Sequence, residues 1–401
     1  MLRTTIAFAA LLLAGPLARA ADPADVAAAR GRIEALPGAT CTVDAAGTVT
    51  EIVIPDGATV TAADVALLGR LAGLKKFHVL NCRRFDDAMA ASLTGLEGLT
   101  SLAITNSGIG DAGVAAIAAA FPDLVELDLS SNTNLTGAAM KSIASLGKLE
   151  RLSLVQTRFN DLQFRRLAKL PALRFVDLRG NMEAGDMTLG VLGRLPHLRA
   201  LKHRSSVVTD AGLEALSKNA ALDALLLQDF AITDASGAHL AALPKLASLE
   251  IFRCQGFGSE GVLAIEPLDA LGRLTLRDLP EVGDAALAVL GGLPGLRRLA
   301  LHELASVGDA GLAHLAAAPG LEALDIWSLP RVTDASAAVI AGLPQLRELS
   351  IRGTGMTEQA LEELAAMPRL ESLVFSNGAV SPAVAARVKA AKAWKKLDLG
   401  K

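Results

Sequence analysis

The residues of this chain best suited to chemistry are a histidine, several arginines and a recurring aspartate, and their spacing limits what they can do. His302-Glu303 opens the zinc-ligand pattern H-E-x-x-H, but its last position is Ser306, so the second imidazole is missing. Ser145-Leu-Gly-Lys148 has the form S-x-x-K, yet the partner motifs that such a nucleophile requires are not visible. Gly108-Ile-Gly110-Asp-Ala-Gly113 matches the dinucleotide fingerprint in letters. That chemistry needs a helix opening directly behind a buried strand in a βαβ unit, whereas these glycines fall in a connecting turn that recurs along the chain. Asp111, Asp210, Asp234, Asp284, Asp309 and Asp334 could pass for a metal-binding array, but each stands at the start of a helical pattern, where a carboxylate caps a helix. No catalytic residue, metal or cofactor is expected from these groups. What is left is Arg277, His302 and Arg352, able to handle an anion, with Asp325 as the one nearby candidate to orient the imidazole for acid–base work.

Composition points the same way. Hydrophobic residues make up 51% of the 401 positions while aromatics reach 3% and Tyr is absent, which suits stacked aliphatic layers better than an aromatic-rich pocket. A net charge of -3 with 20% charged residues gives no electrostatic case for nucleic acid. Met1-Leu2-Arg3, the apolar run Ile6 to Ala14 and the small-residue pattern Ala18-Arg19-Ala20 read as a secretory signal peptide over residues 1–20, cleaved after Ala20. No later stretch reaches the roughly 20 continuous apolar residues of a membrane span. The expectation is a mature protein outside the cytoplasm, periplasmic or secreted.

The elements that must position the candidate residues follow from a period. Segments of the form L-x-x-L-x-L begin at Val49, Leu74, Leu99, Leu124, Leu149, Leu173, Leu198, Leu222, Leu246, Leu271, Leu296, Leu321, Leu346, Leu370 and Trp394, every step being 24 or 25 residues. In Leu321-Glu-Ala-Leu324-Asp-Ile326 the alternation sends Leu324 and Ile326 inward and their neighbours outward, as in a strand. Thr209-Asp210-Ala-Gly-Leu213-Glu-Ala-Leu216 then starts a helical pattern behind a capping residue, and Leu343-Pro344-Gln345-Leu346 stops it and launches the next strand. One such coil cannot bury its apolar face alone, so the array must stack.

These fifteen units resemble the leucine-rich-repeat family across essentially the whole mature chain. The Thr-Asp-Ala-Gly-Leu-x-x-Leu unit is similar to the bacterial subtype with a helical convex side, found also in GALA-type effectors and in the repeat halves of F-box proteins. The resemblance implies an α/β solenoid, a horseshoe of about 15 coils with a parallel sheet on the concave face and short helices on the convex face. It also implies partner binding rather than catalysis. Residues 21–48 read as an N-terminal cap, a short helix and the first strand of a hairpin, and residues 49–401 as the solenoid with its C-terminal cap. Ala21 to Thr48 is too short for an F-box, so no ubiquitin-ligase role is carried over.

Cys82 and Cys254 stand eight residues after their unit's first Leu, the slot that Asn132 and Asn181 fill elsewhere. The resemblance implies that this slot points inward and caps backbone groups. Seven coils at about 4.8 Å each hold Cys82 and Cys254 roughly 34 Å apart, too far for a bridge; a Cys41–Cys82 disulfide at the cap stays open. His203 takes a core position that is apolar in the other units and reads as a hydrogen-bonded irregularity. Arg387, Lys389, Lys392, Lys395, Lys396 and Lys401 gather around the last strand, where they protect a sheet edge.

The outward column six residues after each first Leu is the most informative. It runs Arg179, Arg204, Gln228, Phe252, Arg277, His302, Trp327, Arg352, a stripe of roughly 34 Å, and is uncharged in the first five units. The column at two adds Arg273 and Arg298; the column at four adds Asp177, Glu250 and Asp325. Arg and Trp dominate interface hot spots because they join contact area to directional donors or a flat apolar face. The expected function is therefore a non-catalytic scaffold binding a protein, or else a glycan or cell-wall polymer, through Arg179, Arg204, Phe252, Arg273, Arg277, Arg298, His302, Asp325, Trp327 and Arg352. An enzyme or enzyme subunit acting on an anionic substrate, and a secreted host-directed effector, are the alternatives.

Overall fold

A computed structural model describes residues 23–400; the signal-peptide assignment at residues 1–20 lies outside them. A helix, Pro23–Glu34, tucks Ala29 and Ile33 against the first coil. Strand Thr40–Val43 then pairs antiparallel with Val49–Ile54, with a register irregularity at Thr42/Val43. From Val49–Ile54 onward every pairing is parallel and sequential, giving one 16-stranded sheet. The registers repeat without slip: Leu274, Leu299, Leu324, Leu349 and Leu373 are aligned partners on successive strands. Strands such as Arg298–His302 alternate exposed and buried side chains, so the aliphatic half of each pattern faces one core that continues from Ala29 to Val388. Each fully buried Leu contributes roughly 1.5–3 kcal/mol. Every layer shares its apolar faces with the next, which is what makes the stack stable where a single coil would not be.

In most coils the turn after the strand uses a left-handed residue seven positions after the first Leu: Asn81, Asn106, Ser131, Gln156, Asp229, Arg253, Asp278, Glu303 and Ser328, with glycine at Gly180 and Gly353. Glycine would be the cheaper choice at positive φ, by about 1–2 kcal/mol per site. One position further, the side chains turn inward. Asn132 Nδ2 donates to the Ile104 and Leu129 carbonyls, and Asn181 Nδ2 to those of Leu154 and Leu178, so the inward slot does cap backbone groups. Cys82 and Cys254 fill the same slot, fully buried, and all three cysteines are free thiols. His203 is buried in the core with Nε2 2.9 Å from the Ala184 carbonyl and Nδ1 3.2 Å from that of Leu178, edge-on to Phe230. Burial pushes its pKa down.

The convex side is less uniformly helical than the repeat motif predicts. Asp284–Gly292, His314–Ala317 and Asp334–Ser336 are 3₁₀ segments, whereas Asp111–Ala120 in a unit of the same length is a full α-helix. The recurring aspartates do cap helix starts, but those of the following coil. Asp309 accepts from the Thr333 amide (2.9 Å) and hydroxyl (2.6 Å), Asp334 from the Thr357 amide and hydroxyl, and Asp284 from the Gly308 amide. This accounts for the glycine in Asp-Ala-Gly: a Cβ on Gly113 would come within 2.5 Å of an Asp87 carboxylate oxygen, and one on Gly311 within 2.6 Å of Asp284.

At the C-terminal end the basic residues are partly engaged. Arg387 pairs with Glu362, Lys395 with Glu371, and the Lys392 ammonium lies 4.8 Å over the Trp394 ring. No helix among the described residues is long and apolar enough to cross a membrane.

Candidate binding face

Strand register brings the candidate residues into columns. Phe252, Arg277, His302, Trp327 and Arg352 are direct partners on five successive strands, and Arg273 partners Arg298. Each stands on an outward position because its neighbours, Leu276, Leu301, Ile326 and Ile351, are fully buried.

The aromatic rings are not bare, as the outward spacing alone would have them. Phe252 has the guanidinium groups of Arg253 and Arg277 each 4.4 Å from its centroid. Trp327 has Arg277 at 5.0 Å and Arg352 at 5.9 Å, with the His302 ring edge-on at 5.7 Å. Both rings are half-buried by this packing. Carboxylates fix the cations in turn: Arg277 Nε donates to Glu303 at 2.9 Å, and Arg253 and Arg204 both donate to Asp229. The result is a ladder of alternating rings and guanidinium groups whose rotamers are held from below.

Asp325 is the hub. It accepts from His302 Nε2 at 2.9 Å and from Arg352 Nη2 at 3.2 and 3.3 Å, and also from the Ser350 hydroxyl. Burial alone would push its pKa up, but the donations from His302, Ser350 and Arg352 outweigh it and hold the carboxyl at about 2. The histidine is oriented by a carboxylate, which acid–base chemistry would need. The hydroxyl of Ser350, however, bonds that same carboxylate rather than the imidazole, so serine and histidine do not form a nucleophile–base pair. Arg352 Nε is the one buried side-chain polar atom without a partner among the described residues.

The column is not one continuous stripe. Arg179 folds back onto Asp177 of its own coil, Nη2 to Oδ2 2.7 Å, and Arg204 reaches sideways to Asp229. Gln228 separates both from the ladder. Arg273 and Arg298 lie across the sheet from the ladder, on the rim of a trough of about 390 Å³ whose floor includes Ala300, Ala323, Ser350 and Ser372. Arg298 is forked onto Glu348, 3.0 Å from each guanidinium nitrogen to a carboxylate oxygen, two strands away across Ala323.

Column reading missed the carboxylates that anchor the ladder. Glu303 and Asp229 sit in the left-handed turn beyond the strand, and Glu348 skips a strand to reach Arg298. A carboxylate at the seventh position of the unit that follows an arginine at the sixth, Arg204 then Asp229 and Arg277 then Glu303, is the available signal. Also missed was a relay on the N-terminal half of the sheet, where His78 Nε2 lies 2.7 Å from Ser101 Oγ, which donates at 2.7 Å to Glu126. Burial lowers the His78 pKa and raises that of nearby Asp128.

A family profile described as "Leucine Rich repeat" matches residues 99–118. No curated protein sequence matches the chain. Among solved structures, Rad7 in its complex with Elc1 from yeast superposes with a TM-score of 0.55 at 17% identity, over 80% of this chain and 85% of that one. TLR13 in complex with ssRNA13 gives 0.54 at 20% identity, over 76% of this chain but only 43% of TLR13. An internalin of Listeria monocytogenes gives 0.49 at 18% identity, over 88% and 96% of the two chains. With a 24- or 25-residue period, one stacked parallel sheet and inward side chains such as Asn132 and Asn181 capping backbone groups at the turn, the chain is a leucine-rich-repeat solenoid.

Proposed function

We propose that this chain is exported and acts as a non-catalytic scaffold that binds another macromolecule, a protein in the first instance, through the C-terminal half of its concave sheet. The observation that carries the reading is the ladder from Phe252 to Arg352: large side chains on a rigid sheet, their rotamers fixed by Glu303, Asp229 and Asp325. Such pre-ordering lowers the entropy lost on association. Folding gains little from it. The ion pairs are a third or more exposed on at least one side, and pairs of that kind are worth about 0–1 kcal/mol. The unpartnered Arg352 Nε costs on the order of 1–3 kcal/mol. Of the structural neighbours, Rad7 is held with a protein and TLR13 with an RNA; the net charge of -3 and a face that mixes acid with base favour the protein.

The test is a Trp327→Ala, Arg352→Ala double variant. The expected result is an unchanged circular dichroism spectrum with loss of partner capture from an extracytoplasmic extract; undiminished capture would place the interface elsewhere. Export rests on Met1-Leu2-Arg3, the run Ile6–Ala14 and Ala18-Arg19-Ala20. N-terminal sequencing should find a mature chain starting at Ala21, and an intact Met1 in the exported fraction would refute it.

A second reading, an enzyme or enzyme subunit acting on an anionic substrate, is favoured by the hydrogen bond that orients His302 on Asp325. It predicts turnover that His302→Ala abolishes; a panel of anionic esters and phosphoesters left intact by the wild type would dispose of it.

A further inference from the structure

The trough beside the ladder has a composition that the ladder does not explain. Its floor is low because the side chains of Ala300, Ala323, Ser350 and Ser372 are short, and Asp325, the carboxylate that holds His302 and Arg352 of the ladder, lines one side. Three cations line the other side: Arg273, Arg298 and Lys396. Among the described residues no carboxylate pairs with Arg273 or Lys396, although both are exposed and neighbouring cations such as Lys395 and Arg347 are paired.

Arg298 is the exception, and the manner of its pairing is informative. Glu348 crosses an entire strand, above Ala323, to give the guanidinium a two-point carboxylate. The hydrogen bond from Arg298 is the chief reason that the Glu348 carboxyl sits below its ordinary pKa. Both partners remain about half exposed, 45% and 52%, so solvent screens the fork and it can be exchanged. A second carboxylate of the protein's own, besides Asp325, thus lies in the trough, between two cations that have none.

We propose that this trough binds an acidic segment of an extended polypeptide running across the strands, and that Glu348 is its internal stand-in, displaced from Arg298 when a ligand carboxylate arrives. The proposal deepens the scaffold reading and rests on the concave face being the interface. Dimensions agree with it. Five strand spacings separate Arg273 from Lys396, about 24 Å, which an extended peptide spans in about seven residues. The hydroxyls of Thr275 and Ser372 along the trough offer partners to a peptide backbone. An acidic polysaccharide would share the charge but would also stack its rings on aromatic faces. Phe252 and Trp327 each already carry two guanidinium groups.

The experiment is fluorescence anisotropy with a labelled hepta-glutamate peptide and the full mature chain at low ionic strength, with polygalacturonate as a competing ligand. Glu348→Gln keeps the side chain's size and removes its charge, and should tighten peptide binding by up to about fivefold, the released ion pair expressed as affinity. Arg273→Ala with Lys396→Ala should weaken it tenfold or more, and added salt should weaken the wild type. Unchanged or weaker binding by Glu348→Gln overturns the stand-in role. Displacement by polygalacturonate at lower carboxylate concentration than by unlabelled peptide overturns the peptide assignment. If the trough variants are indifferent while Trp327→Ala, Arg352→Ala still loses its partner, the trough assignment fails and the scaffold reading stands. If Glu348→Gln tightens the peptide while the ladder variant keeps its partner, the scaffold reading through the ladder fails and the trough stands.

Discussion

At the scale of single residues, Asp325 shows how much a position's neighbours decide. The same outward slot holds Thr275 and Ala300 on the two preceding strands, and only here do three donors converge on a carboxylate. Its pKa of about 2, against an ordinary value near 3.9, fixes the sign of its pH dependence. The stabilisation from these bonds is present above the ordinary value and is lost as pH falls through about 2. Titration followed by carbonyl NMR should give a midpoint near 2 for Asp325, and Arg352→Ala should move it upward. A midpoint near 4 in the wild type would mean that the His302 and Arg352 bonds do not form in solution. The sequence placed His302 beside Asp325 because strand register follows from the period. It gave no hint that Arg352 and Ser350 share the carboxylate, since that depends on rotamers rather than on spacing.

Elements tell a different story. The repeat motif was legible down to the capping aspartate, but its address was not: a carboxylate at a helix start was read as serving its own helix, while the stack delivers it to the next. Sequence distance conceals this, because the acceptor and donor are 23 to 25 residues apart, as in Asp309 to Thr333 and Asp111 to Thr136. Asp309→Ala should therefore cost about 1–2 kcal/mol, a typical cap loss, and the damage should appear one coil away. Amide hydrogen exchange should quicken at Thr333 through Ser336, while the segment Asp309–Ala313 keeps its protection. Loss of protection first within Asp309–Ala313 would show that the aspartate caps locally after all. The 3₁₀ character of several convex segments is equally hidden, since Asp284–Gly292 and the α-helix Asp111–Ala120 share the same Asp-Ala start and a unit of the same length.

For the whole molecule, the period alone specified fold, strand number and core, because in a one-dimensional stack each layer meets only its neighbours. The trough was not legible. It arises from small residues in two columns on different strands, together with a glutamate that ignores its nearest neighbours in favour of an arginine two layers away. Such features belong to the surface of the assembled sheet, and no single unit contains them.

The aspartates that reach forward also give the array a direction. Every helix start from Gly110 onward that takes such a carboxylate receives it from the coil before, never from the coil behind. Shortening the chain by one coil at its C-terminal end leaves a spare carboxylate in water. Shortening it past one of these carboxylates at the N-terminal end leaves the new first helix with open amides. Of two chains cut by equal amounts, the one cut at the front should melt lower, beyond what its exposed core explains; equal melting temperatures would argue against it. Unravelling from the front would remove the support of each next layer as it proceeds, whereas erosion from the back leaves every surviving layer complete.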